Sequence, residues 1–360
     1  MKKIAIITLY GNNNFGNKLQ NYASQLILNK LGFYVVTIRN KISFKNIKEN
    51  SIYKLKSFIK NIINMKYYKK NRLRENRFKE FNKYINYTKQ IIDVNKVPKN
   101  LDNEFDYFIY GSDQVWSPYA GGGSDLYLGT FSKKNKNISF SSSFGVYSIN
   151  NRYIDKYISC LNNFKYISVR EDAGRDIIKK LSNIDADVLI DPTMLLTSDE
   201  WDKLCLKPAM KIDNKKYILN YFLGELSFTR KKEIDLVAEI NNCEIINILD
   251  KNSPFYECGP SEFLWLEKNA FLICTDSFHS SVFALLYDRP FIVFDRENIK
   301  DSMNSRLDTL ISKFKLKNRR FEGKITEENL NHDYTEAYKI LEKERKKSED
   351  FLKKALDIND

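Results

Sequence analysis

The sequence predicts an α/β protein with two lobes, each built on a mostly parallel sheet with helices on both faces. Short β-branched and aromatic runs typical of strands alternate with segments of about ten residues that have helical periodicity. Such alternation favours parallel sheets covered by helices. The chain has 360 residues, of which 42% are hydrophobic, so it is long enough for two domains with their own cores.

The first lobe is predicted to occupy residues 1–195. An apolar strand, a loop, a helix over residues 18–31 that stops at Gly32, and a second strand form one βαβ unit. Residues 41–100 are predicted to form an insert of two or three basic, aromatic-rich helices. The strands of this lobe are predicted at residues 4–9, 33–38, 105–110, 138–142, 166–169 and 188–190.

The second lobe is predicted at residues 215–320, after a linker over 196–214, and its pattern is more regular. A last polar helix is predicted over residues 334–357. Between these limits we expect strands at 217–222, 244–248, 271–274 and 291–294, and helices near 228–241, 261–269 and 279–287.

The net charge of +13 is confined to the predicted insert. Residues 41–100 hold 17 Lys and Arg against 4 Asp and Glu, which accounts for the whole excess. Aromatic residues such as Phe44, Tyr53 and Phe58 lie between the basic ones. A localised basic face predicts an anionic partner, such as a membrane surface, a lipid diphosphate or a nucleic acid. The alternative is a solvated helix face.

The cysteines and the N-terminus predict a cytoplasmic protein. Five scattered cysteines without CxxC spacing disfavour a zinc or redox motif and suit a reducing compartment. The apolar run near the N-terminus is too short for a signal peptide, and no run of about 18 apolar residues exists.

The strongest local signal lies at residues 273–284, where a buried strand ends in a hydroxyl-rich turn that leads into a helix. Free backbone N–H groups and the helix dipole favour an anion there, and Ser277, Ser280 and Ser281 add side-chain donors. His279, one of only two histidines, is placed to give or take a proton near neutral pH. The alternative is an ordinary capped helix with a packed histidine.

A second strand ends in a glycine turn that carries polar groups. Gly111 permits a tight turn, and the turn contains Ser112, Asp113, Gln114 and Trp116. The carboxylate and amide suit sugar hydroxyls, and the indole offers a flat face to a sugar ring. The alternative is a capped turn with a core tryptophan.

Two arginines are predicted to face the same cleft. Arg170 follows a strand, where it can grip a carboxylate or phosphate in bidentate fashion; alternatively it forms a surface pair with Glu171. Arg306 begins an amphipathic helix after the last strand and is expected to point back at the cleft, the alternative being an ordinary surface position.

The N-terminal loop at residues 11–17 fits neither GxGxxG nor the P-loop pattern, which disfavours dinucleotide or ATP binding. At the helix that follows, Asn17 and Gln20 are expected to meet acceptor hydroxyls. Asp185 and Asp187 have DxD spacing but precede a strand, so we interpret them as a solvated turn and predict no metal site.

Taken together, these segments resemble the polysaccharide pyruvyl transferase family. Ser280 stands where the family usually has glycine, which is expected to narrow the donor pocket. Ser117 stands where it often has asparagine, which is expected to alter acceptor choice. The resemblance spans most of the chain and is carried by GNNNFGNKLQNYA (11–23), GSDQVW (111–116), SVRE (168–171), DPTMLL (191–196), SFHS (277–280) and RPFI (289–292).

The resemblance implies two facing Rossmann-like lobes, similar to GT-B glycosyltransferases, with the C-terminal helix returning to the first lobe. It implies phosphoenolpyruvate as the donor, a pyruvate ketal on a sugar of a cell-surface polysaccharide as the product, and neither cofactor nor metal. His279 is then the acid and Asp113 the group that orients the acceptor. The remaining donor residues are Arg170, Ser277, Ser280, Ser281 and Arg306, and the acceptor residues are Asn17, Gln20, Ser112, Gln114 and Trp116.

A lipid-linked or oligosaccharide acceptor would explain the basic insert, which would hold the enzyme on the inner face of the membrane. Two other functions stay open. A GT-B glycosyltransferase using a nucleotide sugar needs an acidic residue at the ribose, for which Glu257 and Glu262 are candidates. A nucleic-acid-binding protein is the third, but the neutral remainder of the chain argues against nucleic acid as a partner.

Overall fold

Two parallel sheets organise the protein in this computed structural model, which describes residues 1–42, 65–119, 123–212, 216–297 and 304–358. The part of the predicted insert at residues 43–64, with Phe44, Tyr53 and Phe58, lies outside the described residues.

The first lobe is built on a seven-stranded sheet. Its order is β3-β2-β1-β4-β5-β6-β7, and every neighbouring pair is parallel. The first strand of the chain, which lies in the interior of this sheet, reads KIAII and buries apolar side chains on both faces, as strands of covered parallel sheets do. The strands are β1 (Lys3–Ile7), β2 (Tyr34–Lys41), β3 (Tyr87–Asp93), β4 (Tyr107–Tyr110), β5 (Asn137–Ser142), β6 (Tyr166–Val169) and β7 (Asp187–Val188).

Helices cover both faces of this sheet. The first begins where the Asn14 side chain accepts a hydrogen bond from the backbone N–H of Asn17 at 3.0 Å, which caps the helix. One face packs against α1 and α2, and the other against α4 and α5. The helices are α1 (Phe15–Lys30), α2 (Met65–Phe81), α3 (Asp125–Leu128), α4 (Ile154–Asn162), α5 (Asp172–Ser182) and α6 (Ser198–Asp202).

The second lobe is built on a four-stranded sheet of order β11-β10-β8-β9, again parallel throughout. The predicted fold class is therefore confirmed. The strands of the second lobe are β8 (Tyr217–Tyr221), β9 (Glu244–Asn247), β10 (Leu272–Thr275) and β11 (Phe291–Val293). Its helices are α7 (Phe228–Ile240), α8 (Pro260–Asn269), α9 (Phe278–Leu286), α10 (Ser305–Lys313) and α11 (Glu327–Leu330), and α12 (Thr335–Ala355) follows.

The insert is not helical throughout, which corrects the prediction. Its described part holds α2 and then β3, an edge strand that pairs with β2. Lys89, Gln90 and Ile91 are all exposed on this strand, so the alternation of apolar and polar residues that indicates a strand is missing.

Basic side chains of α2 dock onto the second lobe. The Lys70 ammonium donates to the carbonyl oxygens of residues 251–253 at 2.9–3.2 Å. The Arg74 guanidinium donates to the carbonyl oxygens of Tyr256 at 2.9 Å and Cys258 at 3.3 Å. Part of the basic segment is therefore used in contacts within the protein.

The C-terminal helix α12 docks onto the first lobe. The Arg345 guanidinium donates to the carbonyl oxygens of Met194 at 2.8 Å and Leu196 at 2.9 Å. Phe351 stacks on Phe140 of β5, with 6.3 Å between ring centroids. None of the helices in the described ranges combines the length and apolar character needed to cross a membrane.

Candidate functional site

A cavity of about 340 Å³ lies between the lobes, at the carboxyl ends of both sheets. Strand order reverses between β1 and β4 in the first sheet and between β8 and β10 in the second, and ligands of such sheets bind at these switch points. The first lobe lines the cavity with Leu9, Tyr10, Gly11, Asn13, Asn14, Asn17, Asp113 and Gln114. The second lobe adds Tyr221, Leu223, Ser277, Phe278, His279, Arg296 and Arg306.

His279 lies in the first turn of α9 and borders the cavity. Its Nε2 is buried, has no partner within hydrogen-bond distance in the described structure, and lies 3.6 Å from Oδ2 of Asp191, which belongs to the first lobe. Gly16, at the start of α1, packs against the other edge of the ring, where a Cβ atom would overlap Nδ1 and Cγ. The imidazole therefore sits between two elements of the opposite lobe.

Asp191 is fully buried and accepts four hydrogen bonds. Oδ2 accepts from Arg170 Nη1 and Ser112 Oγ, both at 2.5 Å. Oδ1 accepts from the backbone N–H and hydroxyl of Thr193 at 2.9 and 2.7 Å. Burial alone would raise the pKa of Asp191, but contacts with His279, Arg170 and Ser112 hold this pKa well below its usual range, so the carboxylate is ionised.

Asp113 brings a second carboxylate to the cavity wall. Its Oδ2 accepts from Asn17 Nδ2 at 3.0 Å, and its Oδ1 accepts from the backbone N–H of Gln114 at 2.8 Å. Arg170 Nη2 lies 3.9 Å from Oδ1. The predicted acceptor residues Asn17 and Gln114 thus lie beside Asp113, the residue predicted to orient the acceptor.

Two arginines line the cavity on the side of the second lobe. Burial and the neighbouring Arg170 lower the pKa of Arg306 to about 10, so it stays charged at neutral pH, and its Nε is buried without a hydrogen-bond partner in the described structure. The Arg296 guanidinium donates to Asp276 Oδ2 at 3.0 Å, and Asp276 also accepts from the backbone N–H of Leu223.

Arg170 does not line the cavity, which corrects its expected placement. Its side chain is 1% exposed and is ion-paired with Asp191, while its guanidinium lies 4.6 Å from the ring centre of Phe278. The surface pair with Glu171 is also wrong, because Glu171 is buried and accepts from the backbone N–H of Gly145 at 3.0 Å. The arginines that line the cavity are Arg296 and Arg306 of the second lobe.

Three predicted acceptor residues are buried away from the cavity. Trp116 is 0% exposed and its Nε1 donates to the carbonyl oxygen of Tyr127 at 3.1 Å, so it has no free face for a sugar ring. The Gln20 side chain donates to Thr8 at 2.8 Å and accepts from the backbone N–H of Ser112 at 3.1 Å. The Ser112 hydroxyl is bonded to Asp191. These three placements correct the prediction.

Of the three predicted donor serines, only Ser277 reaches the cavity. The Ser280 hydroxyl donates to the buried Glu267 carboxyl at 2.6 Å, and the Ser281 hydroxyl donates to the carbonyl oxygen of Ser277 at 3.0 Å. Both hydroxyls are bonded to groups outside the cavity, the Glu267 carboxyl and the backbone of α9, so Ser280 does not narrow the cavity as expected.

Sequence reasoning missed several polar residues of the site, among them Tyr10, Asn13, Asn14, Arg296 and Asp191. Arg296 stands three residues after β11, so the rule applied to Arg170 would have found it. Asp191 stands just after β7, but only the fold brings it to His279. The described residues contain no group of His, Cys, Asp and Glu that could hold a metal ion.

The sequence profile described as "Polysaccharide pyruvyl transferase" matches residues 14–298, which include residues from both walls of this cavity. The chain belongs to the polysaccharide pyruvyl transferase family. This family membership identifies it as a transferase of polysaccharide biosynthesis. No curated protein matches the chain in sequence.

Solved structures similar to this pyruvyl transferase family member share little sequence with it. A putative UDP-N-acetylglucosamine 2-epimerase from Listeria monocytogenes is 11% identical, with a TM-score of 0.49 over 98% of this chain and 90% of that one. UDP-GlcNAc 2-epimerase from Neisseria meningitidis bound to UDP-GlcNAc is 10% identical, with a TM-score of 0.49 over 100% of both. UGT89C1 of Arabidopsis thaliana complexed with UDP-L-rhamnose is 9% identical, with a TM-score of 0.48 over 98% of both.

Proposed function

We propose that this transferase moves the enolpyruvyl group of phosphoenolpyruvate onto two hydroxyls of a sugar, forming a ketal and releasing phosphate. The observation that carries the proposal is the content of one interlobe cavity. It places His279, two arginines and the start of a nine-residue helix opposite a carboxylate, which suits a small substrate with two anionic groups and a neutral acceptor.

The donor is proposed to bind on the second-lobe side. Phosphoenolpyruvate carries a carboxylate and a phosphate, and Arg296 and Arg306 can each bind one of them. The first backbone N–H groups of α9 have no partner within the helix, and the helix dipole favours an anion beside them. Ser277 at that helix start adds a hydroxyl.

The chemistry needs one acid and one base. A proton from His279 to the methylene carbon of the donor leaves an oxocarbenium-like centre at the next carbon. A sugar hydroxyl attacks that centre and gives its proton to Asp113. A second hydroxyl then displaces phosphate from the same carbon and closes the ring, and its proton leaves with the phosphate. The two groups line opposite walls of one cavity, as proton transfer on both sides of a reacting centre requires.

The acceptor is proposed to be a sugar unit of a lipid-linked or free oligosaccharide, bound by Asn17 and Gln114.

A basic surface on the insert is proposed to hold the enzyme at anionic lipid. Its exposed members among the described residues are Lys41, Lys69, Arg72, Lys79, Lys83, Lys89, Lys96 and Lys99. Each basic residue near such a surface contributes about 1 kcal/mol.

The two acidic residues considered for ribose binding in a nucleotide-sugar glycosyltransferase do not lie at the cavity. Glu262 is buried, accepts from the backbone N–H of Gly259 at 3.0 Å and pairs with Arg77. Neither Glu257 nor Glu262 lines the cavity.

Thermal stabilisation tests the proposal without knowledge of the acceptor. Phosphoenolpyruvate at about 100 times its dissociation constant should stabilise the fold by about 2.7 kcal/mol, whereas nucleotide sugars should not. With oligosaccharide acceptors, we expect phosphate release and a new ketal methyl signal in the proton NMR spectrum. Stabilisation by a nucleotide sugar with release of a nucleoside diphosphate would refute the proposal.

A further inference from the structure

We propose that Asp191 is the positioning residue of His279. It holds the imidazole with a proton on Nε2, so that Nδ1 is the nitrogen that exchanges a proton with the substrate, and Gly16 allows α1 to pack beside the ring without displacing it. The inference rests on the proposed function for the role of His279, but the geometry that carries it is independent of the donor.

Asp191 is built to stay ionised and fixed in place. Its oxygens accept four hydrogen bonds from Arg170, Ser112 and Thr193. A carboxylate with that many donors and no exposure to solvent cannot turn away. Since Oδ2 also faces Nε2 of His279 at 3.6 Å, a proton on that nitrogen points at a negative charge, whereas a bare nitrogen there would leave two acceptors facing each other.

The other edge of the ring is shaped by Gly16. This residue is buried in the first turn of α1, and any Cβ at this position would overlap Nδ1 and Cγ of His279. His279 borders the cavity and its Nε2 is buried against Asp191, so Nδ1 is the ring nitrogen left to reach a ligand, while Gly16 lets α1 pack closely beside that edge of the ring. The glycine is needed for this approach and not for a left-handed backbone, because its φ is helical.

A purely structural role is the competing explanation. In that case Asp191 neutralises the buried Arg170, and its distance from the imidazole has no consequence. Both roles predict that Asp191→Asn weakens the fold. Only the positioning role predicts a change in which ring nitrogen carries the proton, so that is the property to measure.

The test uses the full chain labelled with ¹⁵N. Long-range proton–nitrogen NMR correlations report the protonated ring nitrogen, and the chain has only two histidines, so His332 serves as an internal reference. We expect neutral His279 to carry its proton on Nε2, and Asp191→Asn to reduce the share of that tautomer. We also expect kcat to fall on the order of 100-fold while KM for phosphoenolpyruvate changes little.

Asp288→Asn is the matched control, because Asp288 faces the other histidine, His332, at 3.2 Å on the surface. It should move only the His332 signals and leave turnover unchanged. A proton on Nδ1 in the unaltered chain, or the same tautomer in Asp191→Asn, would overturn the inference. If the unaltered chain shows no turnover with phosphoenolpyruvate, the proposed reaction fails while the tautomer result still decides the role of Asp191.

Gly16→Ala keeps the proposal testable if Asp191→Asn does not fold. This variant retains the carboxylate and adds one methyl group at Nδ1. We expect displaced His279 ring signals and a loss of kcat on the order of 100-fold or more. A Gly16→Ala enzyme with kcat within a few-fold of the unaltered chain would refute the assignment of Nδ1 as the reacting nitrogen.

Discussion

Replacing Arg74 by methionine separates two uses of the basic helix α2, contact between the lobes and attraction to an anionic surface. The guanidinium of Arg74 is buried between the lobes and donates to two carbonyl oxygens of the second lobe. It also lies 4.5 Å from the ring centre of Phe15, at the start of α1. Methionine keeps most of the side chain's bulk and removes only the charged head.

The cost follows from these contacts. Hydrogen bonds from a charged group contribute about 1.5–3 kcal/mol each, and a desolvated cation–π contact about 1–2 kcal/mol. Because such terms are not additive and methionine recovers some packing, we expect the free energy of unfolding to fall by about 3 kcal/mol. Arg72→Met, two residues away on the exposed side of the same helix, should change it by less than about 0.5 kcal/mol.

Two assays should rank the variants Arg74→Met and Arg72→Met in opposite orders. Equilibrium unfolding in urea should show a lower midpoint for Arg74→Met only. Sedimentation with anionic vesicles at low salt should be weakened for Arg72→Met, by about fivefold for a loss of about 1 kcal/mol, and not for Arg74→Met. Equal urea midpoints for both variants would refute the interlobe role of Arg74. Unchanged vesicle binding by Arg72→Met would show that the exposed face of α2 does not bind anionic lipid.

Five further substitutions test the site and its surroundings. His279→Gln should lower turnover on the order of 100-fold without changing the urea midpoint, and near-normal phosphate release would remove it from the mechanism. Arg306→Lys should weaken phosphoenolpyruvate binding about tenfold or more in a donor titration, with Arg296→Lys as the parallel case. Arg170→Lys should instead cost about 2 kcal/mol of stability, since its partner is a buried carboxylate, and overlaying urea curves would contradict that. Burial lowers the pKa of Lys18 to about 8, below its unfolded value, so the unfolded chain binds more protons than the folded chain between pH about 8 and about 10.4. The free energy of unfolding, compared with that of Lys18→Met, should therefore rise with pH across that window. A difference between the two proteins that does not change with pH would contradict this prediction.

Local sequence patterns were sufficient for the second sheet but not for the edge of the first. Every strand of the second sheet was predicted to within a residue or two, because each is a buried apolar run between turn residues. Strand β3 was missed because apolar and polar residues do not alternate along it, and Lys89, Gln90 and Ile91 are exposed in succession. Its strand character comes from pairing with β2, which is a tertiary property.

The sequence predicted those site residues that directly follow a strand of one of the two sheets. His279, Asp113 and Ser277 follow strands whose carboxyl ends meet at the cavity, so the topology rule places them together. The same rule cannot tell a lining residue from a buried one. Trp116 follows a strand as well, yet it packs into the core, and no local pattern distinguishes its two possible directions.

The crossing of α2 and α12 between the lobes makes the two halves of the chain interdependent. Arg74 belongs to the first half of the sequence but is paired with carbonyl oxygens of the second, and Phe351 belongs to the second half but packs on a strand of the first. A fragment cut between the two sheets would retain a charged side chain without its acceptors or an aromatic ring without the surface that covers it. We therefore expect the protein to unfold as one cooperative unit, and the two fragments to regain native structure only when they are combined.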